Sequence, residues 1–167
     1  MLLNKNDRSG DSVCTNRMGG MSHSHGVTNE DTLLDVVLKH EADVEERVKY
    51  VYIDEVQFFS LKQIEELPMF ADTYGIHVVA YGLLTTYKGE LFPSSKRLLE
   101  LSDKIVQLRN GMRCWCGCPA THNALFKAGK RVSTGDIEVV DNDNVVIDYQ
   151  VMCRRHFLEH ISFSKCN

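Results

Sequence analysis

Residues 48–53 (Val-Lys-Tyr-Val-Tyr-Ile) form a β-prone, largely apolar run that stops at two adjacent carboxylates, Asp54 and Glu55, and continues as Val56-Gln57-Phe58-Phe59. A run of this kind reads as a buried strand. In open α/β sheets, ligands bind outside the carboxyl ends of the strands. Two acids at that edge can divide two tasks, one beside a metal ion and one beside a proton to be removed. The aromatic residues just beyond could stack on a flat ring. The same carboxylates could equally do no more than cap the helix that follows.

With 167 residues and 43% hydrophobic side chains, the chain has material for one core, or for one core with a small appended lobe. Its net charge of −4 leaves no electrostatic footprint for a polyanion, so no nucleic-acid partner is expected. The basic residues Arg109, Arg113, Lys127, Lys130 and Arg131 are followed by Asp136, Glu138, Asp141 and Asp143, which weakens any reading as a nucleic-acid binder. No run of about 18 apolar residues occurs, so no membrane span is expected. Residues 1–20 lack a basic stretch followed by an apolar one and do not read as a secretory signal. Of six cysteines, Cys114, Cys116 and Cys118 crowd together, Cys153 lies far downstream, and Cys14 and Cys166 are isolated. Without a signal segment, that clustering favours metal ligation over disulfides and a cytoplasmic setting.

Residues 1–29 are rich in Gly, Ser, Asn and His, have no sustained period and read as a loop-rich segment. Residues 28–39 pattern as a helix capped by Thr28 or Asn29, with Leu33, Leu34, Val37 and Leu38 as its apolar stripe. Residues 60–74 pattern as a second helix, which Pro68 should kink or split and Gly75 should end. Residues 76–83 read as a second buried strand, 94–101 as a helix capped by Ser94 or Ser95, and 103–108 as a third strand. Apolar strands alternating with amphipathic helices are the βαβ pattern of a parallel sheet. Beyond Asn110 the helical period stops, cysteines appear, and short β-prone runs alternate with turns.

Cys114-Trp115-Cys116-Gly117 and Cys153-Arg154-Arg155-His156 make a second constellation. Structural zinc takes four tetrahedral N/S ligands, commonly two pairs from two turns. Cys-x-x-His is an ordinary half-site; Cys-x-Cys is tighter than the usual Cys-x-x-Cys, and Gly117 would relax the turn beneath it. Cys118 could replace Cys114 as partner of Cys116, or stand free. Such an ion would staple a lobe too small to hold itself together, which makes it structural.

Together these segments resemble the thymidine kinase family that includes the cytosolic and bacterial deoxythymidine kinases. Asp54-Glu55-Val56-Gln57-Phe58 looks like its Asp-Glu-x-Gln-Phe motif, and Tyr81-Gly82-Leu83 through Tyr87-Lys88-Gly89-Glu90-Leu91-Phe92 is similar to its Tyr-Gly-Leu-x-x-x-Phe-x-Gly-x-x-Phe segment. Leu101-Ser102-Asp103-Lys104 and Gln107-Leu108 match the approach to its zinc lobe. Cys114-x-Cys116-Gly117 and Tyr149-x-x-x-Cys153-Arg154-x-His156-Phe157 look like its zinc turns, and Asn6-Asp7-Arg8 is similar to its Asp-Asp-Arg region.

The resemblance implies an α/β fold: a P-loop-kinase-like parallel sheet, truncated at the N-terminus, with a small C-terminal β-rich zinc-ribbon lobe. The expected division is 1–29 loop-rich, 30–110 α/β kinase core, 111–160 zinc lobe with a base-covering loop, and 161–167 tail. It further implies phosphoryl transfer from ATP to the 5′-hydroxyl of thymidine, for deoxynucleoside salvage and DNA precursor synthesis. Glu55 would be the catalytic base and Asp54 would serve the Mg²⁺ of the nucleotide. Phe58 and Tyr87 would flank the base, Val139, Val140, Asp141 and Asn142 would cover it, and Tyr149 would pack beside that loop. Cys114, Cys116, Cys153 and His156 would hold structural Zn²⁺, and the assembly would be a homotetramer.

Two departures stand against this pattern. No Gly-x-x-x-x-Gly-Lys-Ser/Thr phosphate loop occurs in the 167 residues. The chain alone is therefore expected to be weak or inactive as a kinase: it is a fragment, its partner is a separate N-terminal P-loop-bearing fragment, or its activity has decayed. The Ile-Gly-Gly of the family's base-covering loop is replaced by Asp141-Asn142-Asp143, and an arginine usual after the first zinc turn falls near Leu125. The competing reading is a non-catalytic zinc-binding regulatory or scaffold module derived from such a kinase.

Overall fold

A computed structural model describes residues 1–5, 13–15, 21–108, 111–135 and 147–159. The chain divides into two compact units. The first spans Met1–Leu84 and Phe92–Ile105, and the second comprises Thr85–Leu91 with the described residues from Val106 onward.

In the first unit the strands are β1 (Leu2–Lys5), β2 (Val13–Thr15), β3 (Met21–His23), β4 (His25–Val27), β5 (Tyr50–Ile53) and β6 (His77–Ala80). Among the described residues three helices accompany them: α1 (Leu33–Val44), α2 (Leu61–Asp72) and α3 (Pro93–Leu101). Four strands form a parallel sheet in the order β4-β1-β5-β6, with Leu3 opposite Ile53 and Ile53 opposite Ala80. Strands β2 and β3 pair antiparallel as a separate ribbon. The parallel sheet expected from the βαβ alternation is present, but its first strand and its β4 edge come from residues read as loop. Their short lengths and their Asn, Lys, His and Gly residues hide the β period.

Leu3, Val27, Val51 and Ile53 are fully buried and pack with Leu33, Val37, Ile64 and Phe70 into one core. The opposite face of β5 is less covered, with Tyr50 48% and Tyr52 39% exposed. The strand is thus buried on one face, not on both. The two tyrosine rings stack on each other, and Tyr50 also stacks on His77 of β6.

Helix α1 begins later than its pattern suggests. Its first amides, those of Leu33 and Leu34, donate to the Glu66 carboxylate of α2 at 2.7 and 3.3 Å. The cap comes from a residue 33 positions away, not from Thr28 or Asn29. Asp31 instead closes the preceding turn by accepting from the amide and hydroxyl of Thr28. Helix α2 opens with a capping box between Ser60 and Gln63, whose amide also donates to the carbonyls of Thr28 and Asp31. Pro68 does not split it: Leu61–Asp72 is one helix. A proline removes one backbone bond, and the burial of Ile64, Leu67 and Phe70 on both sides of it holds the helix together.

Helix α3 starts at Pro93, with Ser94 and Ser95 inside its first turn. Their hydroxyls donate to the carbonyls of Phe59 and Leu83, so they tie neighbouring loops to the helix instead of capping it. Residues 103–108 form no strand. Ile105, Val106 and Leu108 are each more than 60% exposed, and apolar β-prone residues make a strand only where a partner edge receives their hydrogen bonds.

The second unit contains β7 (His122–Lys127), β8 (Lys130–Val132), β9 (Ile147–Met152) and the short helix α4 (Arg154–Leu158). The three strands form an antiparallel sheet in the order β8-β7-β9. Among the described residues, one small cluster packs Cys114, Ala124, Phe126, Met152, Cys153 and Phe157 with Trp115 against them, and Leu125 and Tyr87 are buried as well.

Candidate active site and metal centre

Asp54 and Glu55 stand where β5 ends, as the apolar run predicts. The Asp54 amide donates to the carbonyl of Leu3 at 3.0 Å, which ties the end of β5 to β1. Glu55 then turns into the left-handed region, φ 50°, and leads into a 3-10 turn over Val56–Phe58. A non-glycine residue there is uncommon. It swings the Glu55 side chain out of the strand's alternation, so the two neighbouring acids do not simply face opposite sides of the sheet. The Glu55 amide donates to Asp54 Oδ1 at 3.0 Å. Neither acid caps α2: that role belongs to Ser60.

Gln57 is the residue whose part the sequence does not reveal. It is buried, and its amide nitrogen donates to Glu55 Oε2. Its Oε1 accepts from the amide of Leu83 at 3.0 Å. One side chain therefore orients the Glu55 carboxylate and fastens it to the loop after β6. That loop is close because Val56 donates to the carbonyl of Tyr81 at 2.9 Å. Gly82 makes the approach possible: a Cβ there would lie 2.4 Å from Gln57 Oε1 and 2.8 Å from Val56 Cγ1. Gly82→Ala is expected to lower stability by about 2 kcal/mol and to displace Gln57. Thermal melts, with a structure of the variant, check this; an unchanged Tm and an unmoved Gln57 would contradict it.

Phe58, half-buried, meets Phe92 edge-on with ring centres 6.0 Å apart. Tyr87 belongs to the second unit and is 3% exposed, with its hydroxyl donating to the carbonyl of Thr134 at 3.3 Å. Tyr149 is on β9 opposite Leu125 and is 51% exposed. Thus Asp54, Glu55 and Phe58 come together in the first unit, while Tyr87 and Tyr149 lie in the second. Val139, Val140, Asp141 and Asn142 lie outside the described residues.

The cysteine and histidine constellation converges. The ligand atoms of Cys114, Cys116, Cys153 and His156 all lie within 4.8 Å of one another. Cys116 Sγ is 3.9 Å from Cys153 Sγ, and His156 Nδ1 is 3.6 Å from Cys153 Sγ and 3.2 Å from Cys114 Sγ. A tetrahedral ion with bonds of about 2.3 Å to sulfur and about 2.0 Å to nitrogen has S···S edges of about 3.8 Å and S···N edges of about 3.5 Å. The four groups therefore fit such an ion.

The Cys-x-Cys turn works because Gly117 takes φ 83° and donates to the carbonyl of Cys114 at 2.8 Å. Of the two candidates to accompany Cys116, the structure selects Cys114; Cys118 is exposed and outside the set. The Cys118 thiol is held above its usual pKa, first by its hydrogen bond with Cys116 and then by the charge of Cys116. Trp115 lies flat on the His156 ring, 4.4 Å between centres and 10° between planes.

Behind the metal ligands, Phe157 is a stacking platform. His122 lies against it at 4.5 Å and the Arg131 guanidinium at 4.3 Å. His122 has its pKa lowered by burial and then by the charges of Arg154 and Arg131. Burial likewise lowers that of Arg131. No helix among the described residues is long and apolar enough to cross a membrane.

The thymidine kinase family profile matches residues 2–157. The chain is 40% identical over 159 residues to the thymidine kinase of Cutibacterium acnes, covering 93% of this chain and 73% of that protein. It is 35% identical over 162 residues to the thymidine kinase of Streptomyces coelicolor, at the same 93% and 73% coverage. With the thymidine kinase of Enterobacteria phage T4 it shares 33% identity over 152 residues, 89% of this chain and 75% of that one.

Proposed function

The chain belongs to the thymidine kinase family, and on that premise we propose that it serves phosphoryl transfer from ATP to the 5′-hydroxyl of thymidine in the cytoplasm. The observation that carries this reading is the acid pair at the carboxyl end of β5, with Glu55 oriented by the buried amide of Gln57. Glu55 is the base that accepts the proton of the nucleoside hydroxyl. Asp54, fixed by its bond from the Glu55 amide, is the oxygen donor for the nucleotide's Mg²⁺. That ion, when bound, supplies charge neutralisation at the phosphates. Phe58 and Tyr87 are the aromatic side chains proposed to contact the thymine ring. Zn²⁺ in the Cys114, Cys116, Cys153 and His156 cluster is structural, since four protein ligands leave no open position for chemistry. The functional assembly is a homotetramer.

The sheet is the P-loop-kinase type, and the triphosphate cradle comes from a segment that these 167 residues do not contain. Two features support this. Parallel sheets are ordinarily covered on both faces, yet Tyr50 and Tyr52 lie open on one face of β5. Strand β6 also has no outer neighbour among the described residues. The purified 167-residue polypeptide is accordingly expected to transfer phosphate from ATP to thymidine at or near background. Transfer at the rate of an ordinary kinase, about 1–100 per second, would show that the cradle lies within this sequence.

A further inference from the structure

Arg131 is an expensive side chain for a lobe this small. It stands on β8 opposite Phe126 of β7. Its Nη2 donates to the main-chain carbonyl of Tyr87 at 3.2 Å, and its guanidinium lies 4.3 Å from the centre of the Phe157 ring. Its Nε and Nη1 are buried with no acceptor among the described residues. Orphaned N–H groups on a desolvated cation oppose folding. A methionine could fill much of the same space without them, so packing alone gives no reason for an arginine. What the arginine does, and an apolar side chain cannot, is hold the main chain of Tyr87.

Tyr87 lies in a tight turn over Thr85–Leu91. Thr86 donates to the carbonyl of Glu90 at 2.8 Å, Gly89 donates to that of Thr86 at 3.0 Å, and Thr85 bridges Leu91. Arg131 grips this turn at Tyr87, and Phe157 abuts it at Gly89, where a Cβ would come within 2.9 Å of the ring. The tyrosine hydroxyl makes a third tie, to Thr134. Phe157 in turn is seated by its own amide, which donates to the carbonyl of Cys153 at 3.0 Å, and it directly follows His156. The platform under Arg131 is therefore carried by the backbone turn that bears two of the four metal ligands.

We propose that Arg131 is a positioning residue for the nucleoside site: stacked on Phe157, it clamps the carbonyl of Tyr87 and fixes the Tyr87 turn in the conformation that receives the pyrimidine. The proposal rests on the reading of Tyr87 as a base-flanking residue. It accounts for an arginine placed where it weakens the fold, and for glycine at position 89.

The test compares wild type, Arg131→Met and Arg131→Lys as zinc-loaded full chains. Three quantities are measured: Tm, amide hydrogen exchange at Thr86 and Gly89, and the thymidine Kd by calorimetry. Arg131→Met is expected to leave Tm unchanged or raised, to speed exchange at both amides, and to weaken thymidine binding about tenfold, the scale of one hydrogen bond to a charged group. Arg131→Lys, which keeps a donor for the Tyr87 carbonyl, is expected to recover part of both losses. Unchanged exchange at Thr86 and Gly89 in Arg131→Met would overturn the clamp. So would a collapse of Tm, which marks a structural residue, or equal thymidine Kd values in wild type and variant. If wild type binds no thymidine, the functional reading fails and the exchange data still decide whether Arg131 holds the turn.

Discussion

Stripping the metal with a strong chelator is expected to melt the second unit while the sheet of the first persists. The reason is the size of the core: among the described residues, one cluster of six buried side chains with Trp115 against it, joined by the buried Leu125 and Tyr87, holds β7, β8, β9 and α4 together. A cluster of that size cannot offset the conformational entropy of ordering the lobe, which runs to roughly 1–2 kcal/mol per residue for the backbone alone. Structural zinc sites contribute about 10–16 kcal/mol of binding free energy, and in such lobes that is folding free energy. Two of the six core residues, Cys114 and Cys153, are themselves ligands, so removing the ion also leaves two thiolates to take up protons or re-pair. Cys153→Ser is expected to reproduce the effect at any zinc concentration.

Trp115 is the only tryptophan of the chain and lies on the ligand His156, so its fluorescence reports the metal centre directly. Hydrogen exchange supplies the spatial readout. The β7–β9 amides, such as those of Ala124 and Phe126, should lose protection, while those of Val51 and Ile53 should keep it. A chelated chain whose β7–β9 amides remain protected would show that the cluster is dispensable to the lobe.

Much of this architecture is readable from the residues because the strongest local signals coincide with the strongest tertiary ones. The run ending at Asp54 is a strand because Val51 and Ile53 are fully buried, and the acids emerge at its carboxyl end as the pattern predicts. The two Cys/His half-sites meet as their spacing implies, including the tight Cys-x-Cys. What escapes reading is decided at a distance. The start of α1 depends on Glu66, which no local pattern connects to Leu33. Strand β1 contains Asn4 and Lys5 and declares itself only by pairing with β4 and β5. Residues 103–108 have strand composition, and composition alone supplies no neighbour.

The same division runs through the site. Gln57 is visible within its motif, but its bridge from Glu55 to Leu83 depends on the loop after β6 coming back over the 3-10 turn. Arg131 reads as one of several basic residues around a Gly-containing turn. Only the burial of its Nε and Nη1, and the carbonyl it grips, set it apart from a solvated surface arginine.

On the proposed function, this polypeptide carries the nucleoside half of a thymidine kinase site, whatever supplies the phosphate cradle. Isothermal titration of the zinc-loaded 167-residue chain with thymidine, repeated with thymidine triphosphate, tests it most directly because it requires no catalysis. Saturable binding of one nucleoside per chain is expected, with the two ligands competing, since each carries the same thymine ring. Saturable binding of neither ligand by a chain whose metal centre is filled would contradict it, and would leave a zinc-bearing scaffold that retains the letters of a kinase without its pocket.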